Sequence, residues 1–349
     1  MTKVSFGIGF GSSPVLLRGA DVPKFMELVR MAEGYGAEAI GTYDSAFLGG
    51  DAYVRATLMA QASSRAAIGL RPSNPLTREP QIMASFLASL DALTGGRAFL
   101  DIASGDSAVF NIGFPAASRA RIEDYVTCIR GLLAKGESTY QGRPQRVRWA
   151  AAAVRPRVPI SICAEGPRML HLGGRIGDGV IAGTGLLPEV IKDTIARIHA
   201  GAREAGREIP DIWFTTRNTL DVDHDTAIDR VKASVSSILN HSMRFGLEGK
   251  LLPEEMKKTV QEYVDGYELY DHVLHAGRNP KRMDELGLTD YALRRWALAG
   301  TPKDWIARIE EIAAAGATKI WVGLGGNDLD RQLRDLKMLG EEIMPRFVR

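Results

Sequence analysis

One rhythm constrains this chain more than any other feature. Short apolar runs alternate with longer amphipathic stretches along the sequence, which is the pattern of strands each followed by a helix. The strand-like runs fall at 4–9, 39–43, 66–70, 97–102, 159–164, 179–182, 212–220 and 319–322. Helical patterns occupy 21–36, 52–63, 78–93, 118–134, 167–176, 188–205, a stretch from Thr226, and 302–315. Asp21 stands where an N-cap belongs, with Pro23 in the first turn. Alternation that continues all the way round predicts a closed parallel (β/α)8 TIM barrel rather than an open doubly wound sheet.

Two stretches break the rhythm. Residues 137–158, which include Tyr140-Gln141-Gly142-Arg143, read as a short hairpin inserted before the fifth strand. Residues 240–298 are too long for an ordinary strand-to-helix loop. They carry helical patterns at 253–264, 281–286 and 290–298 and the densest mixture of aromatics and histidines. This largest insertion follows strand seven and emerges at the face where barrel enzymes hold their active sites. It is expected to form a lid there; a structural brace or a dimer surface is the alternative.

A barrel with insertions accommodates all 349 residues as one domain. The net charge of +2 provides no concentrated basic field for nucleic acid or an anionic membrane surface. No apolar run approaches the roughly 20 residues of a bilayer span. Residues 1–10 lack the basic-then-apolar layout of a signal peptide, so the expected location is cytoplasmic. Cys128 and Cys163 read as small buried apolar residues. No HExxH, paired-cysteine or Asp/His cluster has metal-ligand spacing, and no metal is expected. Helices outside a barrel commonly pair, so a homodimer or higher homo-oligomer is the expectation.

Barrel chemistry comes from strand C-termini and the loops after them. Those positions here are Gly7-Ile8-Gly9-Phe10, Thr42-Tyr43-Asp44, Pro72-Ser73-Asn74-Pro75, Ala103-Ser104-Gly105-Asp106-Ser107, Ala164-Glu165-Gly166-Pro167, Gly183-Thr184-Gly185 and Gly323-Leu324-Gly325-Gly326. Small and polar residues dominate, so backbone can approach a flat ligand closely. Glu165-Gly166-Pro167 opens a helix whose free N–H groups, with those of Gly183-Thr184-Gly185, suit a phosphate; simple turn formation explains the same glycines. Gly105-Asp106-Ser107 lacks the Gly-x-Ser-x-Gly of a nucleophile elbow, and Gly7-Ile8-Gly9 lacks the GxGxxG spacing. Of the six histidines, His272 and His275 crowd with Tyr267 and Tyr270 in the insertion. A histidine there can exchange a proton near neutral pH, a satisfied structural pair being the alternative.

Three segments, in this order, carry a family resemblance. They are RPSNPLTREPQIMASFLASLDALTGGR at 71–97, continuing into AFLDIASGDSAVFNIG; ICAEGPRMLHLGGRIGDGVI at 162–181; and LAGTPKDWIARIEEIAAAGATKIWVG at 298–323. Together they resemble the luciferase-like monooxygenase family, including its branch of deazaflavin-dependent methylene-tetrahydromethanopterin reductases. The resemblance implies that Ser73 and Asn74 lie near an isoalloxazine-type ring. It puts Ser104, Gly105, Asp106 and Ser107 along the ring and ribityl chain, and Glu165, Gly166, Pro167, Gly183 and Thr184 at the phosphate. It also implies a cis peptide at the end of strand three, here Arg71–Pro72. Two departures stand out. Tyr43-Asp44-Ser45 occupies the place of the luciferase histidine, and Ser104 stands where many relatives carry arginine, so one phosphate or ring contact is either missing or supplied elsewhere, by Arg168 or Arg71.

The resemblance implies a two-component monooxygenase first. Reduced FMN from a separate NAD(P)H:flavin reductase would react with O2 in a dry pocket and oxygenate a small organic substrate. Phe10, Tyr43, Tyr267, Tyr270 and Trp296 would wall the substrate, with Asp44, His272 or His275 moving protons. The alternative is hydride transfer with the deazaflavin coenzyme F420, whose acidic tail would suit a basic rim at Arg143, Arg146 and Arg148; those arginines also read as a solvated hairpin face. A third reading is a non-catalytic flavin-binding protein.

Overall fold

The computed structural model describes residues 2–11, 21–149, 154–272, 274–325 and 328–348. Its first half runs β1 (Ser5–Phe10), α1 (Val22–Gly34), β2 (Ala39–Thr42), α2 (Ala52–Ala62), β3 (Ala67–Ser73), α3 (Pro80–Thr94), β4 (Ala98–Ile102), α4 (Ser107–Phe110), α5 (Arg119–Lys135), β5 (Glu137–Tyr140), β6 (Arg143–Arg146) and β7 (Ile160–Ala164). The second half runs α6 (Pro167–Ile176), β8 (Gly179–Ala182), α7 (Pro188–Glu204), β9 (Asp211–Thr215), β10 (Arg217–Leu220), α8 (His224–Met243), α9 (Lys257–Asp265), α10 (Arg278–Glu285), α11 (Thr289–Trp296), β11 (Ala297–Gly300), α12 (Pro302–Ala314), β12 (Lys319–Leu324) and α13 (Leu329–Met338).

Eight parallel strands close into a barrel in the order β1-β12-β9-β8-β7-β4-β3-β2. The eight strand patterns of the sequence are these eight. Asp21 occupies the N-cap of α1 but makes no side-chain cap hydrogen bond, whereas Asp51, Ser118, Asp223 and Thr301 do cap their helices. Residues 137–146 form the expected antiparallel hairpin, turning through Gln141 and Gly142 at positive φ. The Arg71–Pro72 bond is cis.

Strand seven departs from expectation. The run 212–220 is not one strand: β9 ends at Thr215, and β10 leaves the barrel to pair in parallel with β11 as a separate two-stranded sheet. Residues 297–298, read as helical, belong to β11, and Leu298 is fully buried there. Helix α13, after β12, has no counterpart in the sequence reading.

Alternation along the strands produces two cores. Ile40, Ile68, Leu100, Ile162, Val180 and Phe214 point outward against the helices and join the main cluster. Ala39, Phe99, Ile181, Trp213 and Trp321 fill the lumen. Glycines in the first strands make room for the tryptophan: a Cβ at Gly7 would stand 2.1 Å from the Trp321 ring, and one at Gly9 2.7 Å from it. An ion pair between Arg71 and Asp101 is buried in the same lumen, the guanidinium 4.0 Å from the Trp321 ring centroid. Burial pushes the Asp101 carboxyl up, and Arg71 offsets only part of that.

The insertion has its own apolar core, where Val231, Val235, Ile238 and Leu239 of α8 pack with Val260, Tyr263, Met283 and Trp296.

Candidate active site

A cavity of about 1260 Å³ opens at the C-terminal ends of the barrel strands. Its floor is the Trp321 indole with the Arg71 guanidinium beside it, and its walls are the strand-end loops. The loops are tied to one another locally. Arg55 is fully buried and donates to the carbonyls of Gly11 and Tyr43, both at 2.9 Å, joining the ends of β1 and β2. Ser73 Oγ donates to Asp44 Oδ2 at 2.7 Å, and Tyr53 OH donates to the same oxygen at 3.2 Å. This joins β2 to β3 and leaves an oriented carboxylate on the cavity wall. Ser45 and Ser107 hydroxyls lie 3.0 Å apart and join β2 to β4. Asn74 spends its carbonyl oxygen on its own turn, accepting from the N–H groups of Leu76 at 2.9 Å and Thr77 at 3.0 Å.

The far wall is charged. His241 Nδ1 lies 3.0 Å from Asp106 Oδ2, and His241 Nε2 lies 3.2 Å from Glu165 Oε2. The ring therefore sits between two carboxylates, and Arg244 Nη2 approaches the same Nδ1 at 3.2 Å. Burial opposes a charge on the ring, but Glu165 and Asp106 outweigh it and hold the His241 pKa above its ordinary value. Arg244 takes the other Asp106 oxygen at 2.8 Å. Despite burial, His241 and Arg244 keep the Asp106 carboxyl well below the usual range. Gly183 has no room for a side chain here, since a Cβ would meet Glu165 Oε1 at 2.7 Å.

One corner suits a phosphate. Helix α6 starts at Pro167 with no side-chain cap, and Gly166 precedes it in extended backbone. A Cβ at Gly166 would meet nothing nearer than Lys250 Cε at 3.7 Å, so an ammonium group borders the open N-terminus. Burial lowers the Lys250 pKa to about 8, with Glu165 opposing and Arg295 and Arg244 reinforcing the shift. Arg168 also lines the cavity. The residues present fit a phosphorylated, ring-bearing cofactor: helix amides, Lys250 and Arg168 for the anion, a flat aromatic floor for the ring. Among the described residues, no three His, Cys, Asp or Glu side chains cluster to hold a metal, and no helix is long and apolar enough to cross a membrane.

The model of the luciferase-like monooxygenase family matches residues 4–319. The chain belongs to the luciferase-like monooxygenase family. This luciferase-like oxidoreductase is 30% identical over 374 aligned positions to 5,10-methylenetetrahydromethanopterin reductase of Methanopyrus kandleri, with 99% of each chain covered. It is 26% identical to F420-dependent glucose-6-phosphate dehydrogenase of Nakamurella multipartita, over 82% of this chain and 78% of that one. The solved structure of the coenzyme F420-dependent tetrahydromethanopterin reductase from Methanopyrus kandleri superposes with a TM-score of 0.74 at 25% identity, covering 99% of this chain and all of that one.

In this luciferase-like enzyme the cavity gathers Phe10, Tyr43 and Asp44 from β1 and β2, Ser73 and Asn74 from β3, and Ser104, Gly105, Asp106 and Ser107 after β4. It also gathers Glu165, Gly166 and Pro167 after β7, Gly183 after β8, and His272 and His275 from the insertion. Gly326 lies outside the described residues. Four expected residues are placed elsewhere. Thr184 is buried behind the wall, its hydroxyl 2.8 Å from that of Thr194. Trp296 packs in the insertion's own core and donates Nε1–H to the Gly183 carbonyl at 3.2 Å. Tyr267 stands behind His272, its OH 2.8 Å from Nδ1. Tyr270 is 86% exposed. The insertion needs an apolar core of its own, which buries Trp296 and packs Tyr267 against it. Arg143 and Arg146 pair with Glu79 and Glu137 on the hairpin surface, and none of Arg143, Arg146 and Arg148 lines the cavity.

Three residues escaped the sequence reading: His241, Arg217 and Lys250. The signal for His241 was present, because Ser234, Ser237 and His241 form a polar stripe at helical spacing beside the apolar Val231, Val235, Ile238 and Leu239. Arg217 and Lys250 had no local signal, since a loop position and a strand start acquire meaning only once the barrel closes.

Proposed function

We propose that this protein is a hydride-transferring oxidoreductase that works with the deazaflavin coenzyme F420. The observation that carries the reading is the end-to-end match to a methylenetetrahydromethanopterin reductase, in a chain whose cavity has a cationic, glycine-lined corner for a phosphate. Oxygen chemistry on reduced FMN takes second place, because the relatives at 30% and 26% identity are named for F420 or tetrahydromethanopterin, whereas the monooxygenase RslO1 is 19% identical.

Gly166, Arg168 and Lys250 would hold the coenzyme's phosphate, and Ser104–Ser107 would border its ring. Bound there, the deazaflavin supplies or accepts a hydride. The chain's own part is to orient the two reactants, exclude water and handle the accompanying proton. Asp44, held by Ser73 and Tyr53 at the cavity wall, would hold that proton. The insertion supplies His272, Leu274 and His275 to the cavity lining and would serve as its lid.

Titration of the apoprotein with F420 and with FMN, each oxidised and reduced, tests the reading. Saturable F420 binding at least tenfold tighter than FMN, with no oxygen consumed by the reduced complex, is the expected result. Tighter binding of reduced FMN together with oxygen uptake would overturn it.

A further inference from the structure

Arg217 opens β10, two residues past the last residue of barrel strand β9, and its side chain lines the cavity. Its backbone is fixed on both sides. Asn218 exchanges two hydrogen bonds with Gly323, at 2.9 and 3.0 Å, and Thr216 donates to the Trp321 carbonyl at 3.1 Å. The guanidinium, by contrast, has neither a hydrogen bond nor an ion pair among the described residues. The carboxylates whose fields reach it, Glu165 and Asp106, are already engaged by His241 and Arg244 at 2.8 to 3.2 Å. Burial works against the Arg217 charge, and those two carboxylates restore only part of it. Arg217 is partly buried and faces the cavity, so its unpaired guanidinium is a site for an anion that arrives with a ligand.

We infer that Arg217 binds a carboxylate or phosphate group of the substrate, so that the enzyme's substrates are acidic polar molecules. The inference rests on the hydride-transfer reading above. Its site is separate from the coenzyme's phosphate corner, which lies after β7, two strands away around the barrel from β9. His272 gives the anion a second contact. Burial lowers its pKa and Arg217 adds to the shift, against the opposing field of Asp106, so the ring is neutral at physiological pH. The Tyr267 hydroxyl lies 2.8 Å from Nδ1 and fixes the orientation of the ring. Ser234 and Ser237 on α8 line the same cavity and suit hydroxyl groups on the rest of the molecule.

The experiment titrates inorganic phosphate, and separately propionate, into the protein already saturated with F420, for the native chain, Arg217→Gln, Arg217→Lys and Arg168→Gln, with a folding check by circular dichroism. Phosphate or propionate should bind the native holoprotein, about tenfold or more weaker in R217Q and partly recovered in R217K. The R168Q protein should keep its anion affinity and lose coenzyme affinity instead. Whichever of the two anions binds tighter identifies the substrate group. Anion binding unchanged in both Arg217 variants overturns the inference, as does absence of anion binding to the native holoprotein. So does a loss in R217Q of coenzyme affinity rather than anion affinity, which would give Arg217 to the coenzyme. If F420 does not bind at all, the hydride-transfer reading fails, while the same anion titrations on the apoprotein still decide the role of Arg217.

Discussion

His241 Nδ1 lies 3.0 Å from Asp106 Oδ2, and this contact fastens the insertion to the barrel. Asp106 belongs to the loop after β4 and His241 to the last turns of α8, 135 residues later. The other ring nitrogen reaches Glu165 after β7. One imidazole ring therefore spans two loops of the rim, and the two carboxylates favour its charged form.

Replacing His241 by Gln should cost about 2 kcal/mol near neutral pH, because Asp106 and Glu165 each lose an ion-pair partner at 3.0 and 3.2 Å. The pH dependence follows from the two shifts. Asp106 is held below its ordinary 3.8, so its contribution is present above that value and disappears as pH falls through the lowered one. His241 is raised above its ordinary 6.5, so its contribution is complete below 6.5 and lost as pH rises through the raised value. Urea denaturation of native and H241Q proteins across pH should show the largest gap between those limits. A gap that grows steadily into alkali would contradict the assignment.

Asp44→Asn keeps the volume and a hydrogen bond to Ser73 but cannot carry the proton. Turnover should fall about 100-fold or more while coenzyme affinity changes less than threefold. Steady-state rates beside binding titrations measure the split. A parallel loss of both would make Asp44 a structural tie between β2 and β3 only.

The barrel was legible because its signal repeats: each strand is short, apolar and followed by an amphipathic helix, so errors at single elements do not change the count. The strand-end loops were legible for the same reason, since their position follows from the barrel. The insertion was not. Its aromatics cluster in sequence between 263 and 296, but Tyr263 and Trp296 are consumed by a core that the insertion must build to fold over the barrel. His241 was hidden by a boundary: with the insertion taken to begin at 240, α8 lost the turn that carries the histidine. The β9–β10 break, which aims Arg217 into the cavity, arises from pairing with β11 some 80 residues later, a contact that no local pattern encodes.

Gly9→Ala tests the floor. The new methyl would stand 2.7 Å from Trp321 Nε1, so the indole must shift, and the lumen is too full to absorb the change freely. A destabilisation of about 1–3 kcal/mol is expected, with a changed tryptophan emission and weaker coenzyme binding. Unaltered emission and affinity would show that Trp321 does not form the surface on which a ring rests.

Lys250 gives the last test, because its pKa of about 8 lies within reach of ordinary buffers. The depressed value means that the ammonium is intact below about 8 and lost as pH rises through it. If it faces the coenzyme's phosphate beside Gly166, the dissociation constant for F420 should be flat up to about pH 8 and then climb, approaching about tenfold per pH unit where only the charged form binds. Lys250→Met should weaken binding about tenfold at neutral pH and abolish the inflection, leaving a level profile through the same range. An inflection that survives in K250M would mean another group near the α6 N-terminus titrates there, and the phosphate corner would have to be built without this lysine.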